Sequence, residues 1–162
     1  MLAEVFRELQ AANVRYALVG GLAVTLHGHL RSTWDIDIVL ALDDANLARF
    51  VSHFKQAGWV PVLPLPFDAL LDSAKRADWI ANRNLKVFAV HHPNKSSMTL
   101  DVLLVTPMPA AQIVENAVLL PLFEQTVFVA SISDLIAMKR AVGRPVDLSD
   151  VQGLEEILRN AN

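Results

Sequence analysis

At 162 residues, with 53% apolar side chains and a net charge of −3, the chain is long enough for one sizeable core and too acidic overall to draw nucleic acid by a global field. The lack of cysteine excludes disulfides, thiolate metal sites and a cysteine nucleophile, and fits a reducing cytoplasm. No apolar run approaches the roughly 18–20 residues of a membrane span, Met1-Leu2-Ala3-Glu4-Val5 carries no signal pattern, and the apolar excess points to surface buried in a homodimer or against a hetero-partner.

Leu2, Val5, Phe6 and Leu9 recur at helical spacing, with Glu4, Arg7 and Glu8 opposite, which predicts an amphipathic helix over 2–12. Asn13-Val14-Arg15 turns the chain into a short buried strand, Tyr16–Val19, that ends at Gly20-Gly21. Leu22–His27 reads as a helix, and 28–33 as a polar connection into a strand, Trp34-Asp35-Ile36-Asp37-Ile38-Val39-Leu40. Asp43 caps a helix running to about Gln56, with Gly58 just past its end. Trp59–Leu63 contains a proline and fits an edge strand. Residues 67–80 read as helical. Asn84–His91 and Met98–Val105 form two strands joined as a hairpin through 92–97. A short helix covers Ala110–Ala117 and a last strand Val127–Ala130. Ser133 is a cap for a helix over Ile132–Val142, which stops at Gly143 and Pro145, and Asp147 a cap for another over Leu148–Arg159. The expected architecture is α+β, a mixed β-sheet flanked by helices and closed by a C-terminal helical pair. One domain is expected overall, with a core over 1–130 and the helical segment 131–162 packed on it.

The chemistry gathers at three places. Side chains alternate along a strand, so Asp35 and Asp37 point the same way, opposite the apolar row of Trp34, Ile36, Ile38 and Leu40. Two such carboxylates repel, more so beside apolar surface, and a hard divalent cation such as Mg²⁺ would neutralise them. Asp101, in Thr99-Leu100-Asp101-Val102-Leu103, is a third aspartate within an apolar strand. If its strand lies beside the first, the three carboxylates meet. The glycines at Gly20-Gly21 let a phosphate approach the backbone between a strand and a helix, where free N–H groups are presented. An ordinary tight turn is the alternative for the glycines, and solvent-facing strand ends are the alternative for the aspartates.

The ordered set of Gly20-Gly21, Asp35-Ile36-Asp37-Ile38 and Asp101 resembles the nucleotidyltransferase superfamily with the DNA polymerase beta-type fold. Arg31-Ser32-Thr33-Trp34-Asp35-Ile36-Asp37 is similar to the Arg-x-Thr-x-Asp-hydrophobic-Asp run of its small bacterial members. The segment from Asp134 through Lys139-Arg140 to Gly143-Arg144-Pro145-Val146-Asp147-Leu148-Ser149-Asp150 is similar to their C-terminal part. The resemblance covers about 16–154 and adds little over 59–81.

It implies that Asp35, Asp37 and Asp101 hold two Mg²⁺ ions that bridge a nucleoside triphosphate, with Asp101 helping to activate an acceptor hydroxyl. Gly20 and Gly21 would cradle the triphosphate, and Lys139 would face the cleft, where family members carry a basic residue. Arg31 is a candidate phosphate contact, or a solvated loop residue. Thr33 either holds the loop by a local bond or binds nucleotide.

Several residues carry blander expectations. Arg140 and Arg144 read as basic residues near a helix C-terminus, Asp147 and Asp150 as cap and first-turn residues, and Trp34 as core. The five histidines show no zinc spacing; His91 and His92 suit the hairpin, whereas His27 and His29 are near enough to the site to bind substrate.

The implied activity is metal-dependent transfer of NMP from an NTP, ATP among them, to a hydroxyl acceptor, with release of pyrophosphate. The acceptor is a protein, a tRNA or a small molecule. The family also implies a cognate toxin or antitoxin as partner. Charge does not favour tRNA unless Lys75, Arg76, Arg83 and Lys86 gather on one rim. The alternative class is a catalytically silent nucleotide- or partner-binding regulatory module.

Overall fold

The computed structural model describes residues 2–95 and 98–161. A seven-stranded mixed sheet forms its centre, in the order β3-β4-β5-β2-β1-β7-β6. The strands are β1 (Tyr16–Val19), β2 (Ile36–Leu40), β3 (Val60–Pro61), β4 (Val87–His91), β5 (Thr99–Leu103), β6 (Val118–Leu122) and β7 (Gln125–Val129). The helices are α1 (Leu2–Ala11), α2 (Gly20–Leu26), α3 (Asp44–Gln56), α4 (Ser73–Arg83), α5 (Ala110–Glu115), α6 (Ile132–Val142) and α7 (Pro145–Asn160), with a 3-10 turn at Phe67–Leu71.

The central strands β1 and β2 are buried almost throughout. They pair antiparallel, with Val19 opposite Asp37, and β2 pairs in parallel with β5. A single hydrophobic cluster takes in Phe6 and Leu9 of α1, Phe50 and Phe54 of α3, Ile36 and Ile38 of β2, and Leu135 and Leu154 of the last two helices. Asp43 caps α3 by accepting from the Asn46 N–H, as its position before an apolar-periodic run predicts. Asn46 is itself fully buried and closes the turn before β1 by bonding to Arg15 and Ala41.

Four local expectations differ from the structure. The stretch over 67–80 is divided by Asp72, which is extended and accepts from the Ala74 and Lys75 N–H groups to start α4. Strand β6 escaped the sequence reading because Pro121 interrupts its pattern and its turn lacks an Asn-Gly signal; Phe123 supplies the positive φ instead, at 56°. Proline is tolerated there because β6 is an edge strand that, among the described residues, pairs with β7 alone. At α6 the cap is Ser131, whose hydroxyl accepts from the Asp134 N–H, and Ser133 lies inside the first turn. Helix α7 begins at Pro145 with Arg144 as its N-cap, so Asp147 stands at the third helical position, where its carboxylate accepts from the Arg144 N–H. The hairpin of β4 and β5 is antiparallel as expected; its link at Ser96 and Ser97 lies outside the described residues. No helix among the described residues is long and apolar enough to cross a membrane.

Candidate active site

The aspartate strand is one residue shorter at its start than its carboxylates suggest. Asp35 precedes β2 and is exposed, while Asp37 lies within it and is partly buried. Asp101 is the direct register partner of Asp37 on β5. Because the two strands run in parallel, both side chains leave the sheet on the same face. The strand of Asp101 thus lies beside that of Asp37.

Asp37 has its carboxyl pKa raised from 3.8 to about 6, chiefly by burial, then by the like charges of Asp101 and Asp35; Lys139 and Arg144 oppose the rise. Asp101 is also pushed up, first by burial, against a hydrogen bond from Thr99 that lowers it, with Asp35 adding to the rise. Its buried Oδ1 has no hydrogen-bond partner. An unpartnered buried carboxylate oxygen beside a second carboxylate is costly unless a cation arrives. Among the described residues no three His, Asp or Glu side chains converge into a ready-made cation cage. The fixed part of the acidic site is therefore the Asp37–Asp101 pair, with Asp35 exposed at the entrance to the strand.

The glycines press on the same place. Gly20 opens α2 at φ +72°, and a Cβ there would run into the Asp37 carboxylate. A Cβ on Gly21 would sit 2.5 Å from Arg31 Nη2 and 2.9 Å from Thr33 Oγ1. Both positions need glycine for contact, and Gly20 needs it for its backbone conformation as well. Arg31 and Thr33 are thereby placed against the turn, and Asp37 lies on its other side.

Lys139 is only 7% exposed and is held between two acids of α7, with Nζ 3.4 Å from Asp147 Oδ1 and 3.1 Å from Asp150 Oδ2. Asp147 does close a capping box with Arg144 in the first turn of α7, but it and Asp150 are 1% and 0% exposed, a burial that their reading as cap and first-turn residues does not include. Burial pushes Asp147 upward, but its hydrogen bonds from Arg144 and the nearby Lys139 charge hold it below the usual carboxylate range. Arg144 bonds Asp147 through Nε at 2.7 Å and Nη2 at 3.3 Å, and its charge reaches Asp37. The sequence reading left it out because a lone arginine after a helix-ending glycine carries no distinguishing signal.

Trp34 is the clearest reversal. It is 84% exposed in the loop before β2, so the alternation that predicts it as core starts two residues too early. His27 is occupied by a hydrogen bond to the Ala130 carbonyl at 2.8 Å. His29 lies 3.9 Å from Asp150. His92 bonds the Ala57 carbonyl and meets Trp59 edge-on. Of the basic rim, Arg76 bonds the Leu70 carbonyl and Arg83 pairs with Asp78.

No family model matches the chain, and no curated protein matches it by sequence. Solved structures match it in fold. The lincosamide antibiotic adenylyltransferase LnuA, lincomycin-bound, superposes with a TM-score of 0.60 at 16% identity, covering 96% of this chain and 95% of its own. ANT(2")-Ia in complex with adenylyl-2"-tobramycin gives 0.60 at 12% identity, over 97% and 87%. An antigenic nucleotidyltransferase-like protein from Paracoccidioides brasiliensis gives 0.61 at 15% identity, over 93% and 71%. The mixed sheet that sets Asp37 beside Asp101 is thus the nucleotidyltransferase fold.

Proposed function

We propose that this chain is a metal-dependent nucleotidyltransferase that moves a nucleoside monophosphate from an NTP to a hydroxyl acceptor. The observation that carries the reading is the Asp37–Asp101 register pair, with the Gly20 backbone closed against Asp37.

The residues fit a divalent cation such as Mg²⁺. Asp101 Oδ1 is buried without a partner, Asp37 is crowded by like charge, and hard carboxylate oxygens are the donors such a cation prefers. Asp37 and Asp101 would hold it, with Asp35 as the exposed third carboxylate. When bound, the metal supplies charge neutralisation for the triphosphate and for the charge that develops in transfer.

The chain's own residues do the rest. Gly20 and Gly21 leave the backbone open to the phosphates, and Arg31, Lys139 and Arg144 bring positive charge to a site otherwise dominated by acids. Thr33 fixes the loop against Gly21. The acceptor hydroxyl oxygen forms the new bond to the α-phosphorus, and the bond to the bridging oxygen of pyrophosphate breaks with its electron pair. The hydroxyl proton passes to the other carboxylate oxygen of Asp101, Oδ2, which leaves Oδ1 for the cation. The helical segment 131–162 supplies Lys139 and Arg144, so the core over 1–130 and this segment act as one unit. The two antibiotic-modifying neighbours favour a small-molecule hydroxyl as the first acceptor to try.

Incubation with each α-labelled NTP, Mg²⁺ and a panel of aminoglycosides, lincosamides, tRNA and cell protein, with pyrophosphate release measured in parallel, tests the reading. Labelled product and pyrophosphate in equal amounts, both lost in a folded Asp37→Ala variant, are expected. Binding of NTP with no release across the panel would identify a silent regulatory module instead.

A further inference from the structure

The loop between α2 and β2 has no regular structure, yet it is pinned to the last helix at two points. A side chain at Gly153 would collide with the His29 ring, so that ring lies on α7. One turn earlier, Asp150 Oδ1 lies 2.9 Å from Arg31 Nε; positions three apart share a helix face. The Arg31 backbone is held as well, its carbonyl accepting from the Thr25 hydroxyl.

Two arginines meet the two buried acids of α7, and they do so differently. Arg144 grips Asp147 with both Nε and Nη2, the bidentate arrangement that serves stability. Arg31 comes within 2.9 Å of Asp150 by its buried Nε, a charge contact without an aligned hydrogen bond. Its Nη1 donates to the Ser32 carbonyl, and its Nη2, which makes no hydrogen bond among the described residues, lies against Gly21. Asp150 is fully buried, and neither of its oxygens makes an aligned hydrogen bond. Lys139 already supplies it with a counter-charge. Such a carboxylate is an expensive way to secure a loop, and it acts on Arg31 by charge and distance.

We propose that Asp150 is a positioning residue of the phosphate seat: it holds the Arg31 guanidinium by Nε so that Nη2 is presented over the Gly20-Gly21 turn. The inference rests on the reading of that turn as the place where phosphates bind. It adds that the last helix sets how tightly they are held.

Binding of tripolyphosphate with Mg²⁺, which needs no knowledge of the base, tests it by calorimetry in the wild type, Arg31→Ala, Asp150→Asn and the double variant. Arg31→Ala should weaken binding roughly tenfold, as for the loss of one charge-assisted bond. Asp150→Asn should weaken it to a similar extent, and the double variant should bind no worse than Arg31→Ala. Asp150→Asn binding like the wild type, or a double variant that loses both effects in sum, overturns the proposal while the phosphate seat stands. A wild type that binds no tripolyphosphate removes the seat and this inference together. Should Asp150→Asn not fold, proton exchange at Arg31 Nε–H in the free wild-type protein decides the geometric claim by NMR. A slowly exchanging resonance, absent in Arg31→Lys, is expected, and rapid exchange overturns the pairing.

Discussion

Asp37 and Asp101 face the same side of the sheet as register partners on adjacent parallel strands, although a helix-rich stretch separates them in the chain. Their proximity is unfavourable in the protein alone, and burial raises the carboxyl pKa of Asp37 to about 6. The unfolded chain holds that proton only up to about its ordinary 3.8. Between these values the folded state binds more protons, so without metal the protein loses stability as pH rises from about 4 to 6, and stays weakened above. Asp37→Asn should therefore raise the unfolding free energy in EDTA at pH 7.5 by roughly 1–3 kcal/mol, with a higher midpoint, and have little effect at pH 4. Transfer activity should vanish in the same variant. Thermal melts at the two pH values check the sign; a midpoint at pH 7.5 that does not move would show that the pair carries no such strain.

Gly20→Ala should cost about 1–3 kcal/mol and most of the activity, because its φ of +72° is strained for alanine and the new methyl meets Asp37. Gly28→Ala is the control. It too has a positive φ, +117°, but a Cβ there is 3.6 Å from Ile157 Cδ1, ordinary contact. It should lose stability and keep turnover, as urea midpoints and initial rates will separate.

Lys139→Met leaves Asp147 and Asp150 buried beside a neutral side chain. Removing one partner of a buried ion set costs about 3–5 kcal/mol. Arg140→Ala, which breaks an exposed pair with Glu155, should cost under about 1 kcal/mol. Denaturant titrations of the two neighbours on α6 give the comparison directly.

Trp34→Ala should shift stability by no more than about 0.5 kcal/mol, since the ring is 84% exposed. A core tryptophan at that position would cost about 3–5 kcal/mol.

Much of the fold could be read in the chain because local signals agreed with one another. The Asp43 cap, the buried run of β1 and the alternation around Asp37 and Asp101 each have a short-range cause. What escaped had a long-range one. Trp34 looks like the next apolar residue of a strand, but β2 begins at Ile36, and alternation alone does not mark where pairing starts. Asp147 and Asp150 read only as helix-start acids because composition cannot show that Lys139, Arg31 and Arg144 converge on them. Within the site, strand patterning put Asp37 and Asp101 on apolar strands and left their adjacency conditional, which the register supplies; the link from Arg31 to α7 likewise exists only once the chain has closed on itself.

That closure has a consequence for synthesis. A nascent chain extended only to Gly143 already contains Asp35, Asp37 and Asp101, together with every strand of the sheet. It still lacks Asp147 and Asp150, so Lys139 has neither of its acids and Arg31 has no anchor. A ribosome-bound intermediate would thus assemble the acidic half of the centre before its basic half is fixed, and the two halves would be joined only when α7 docks.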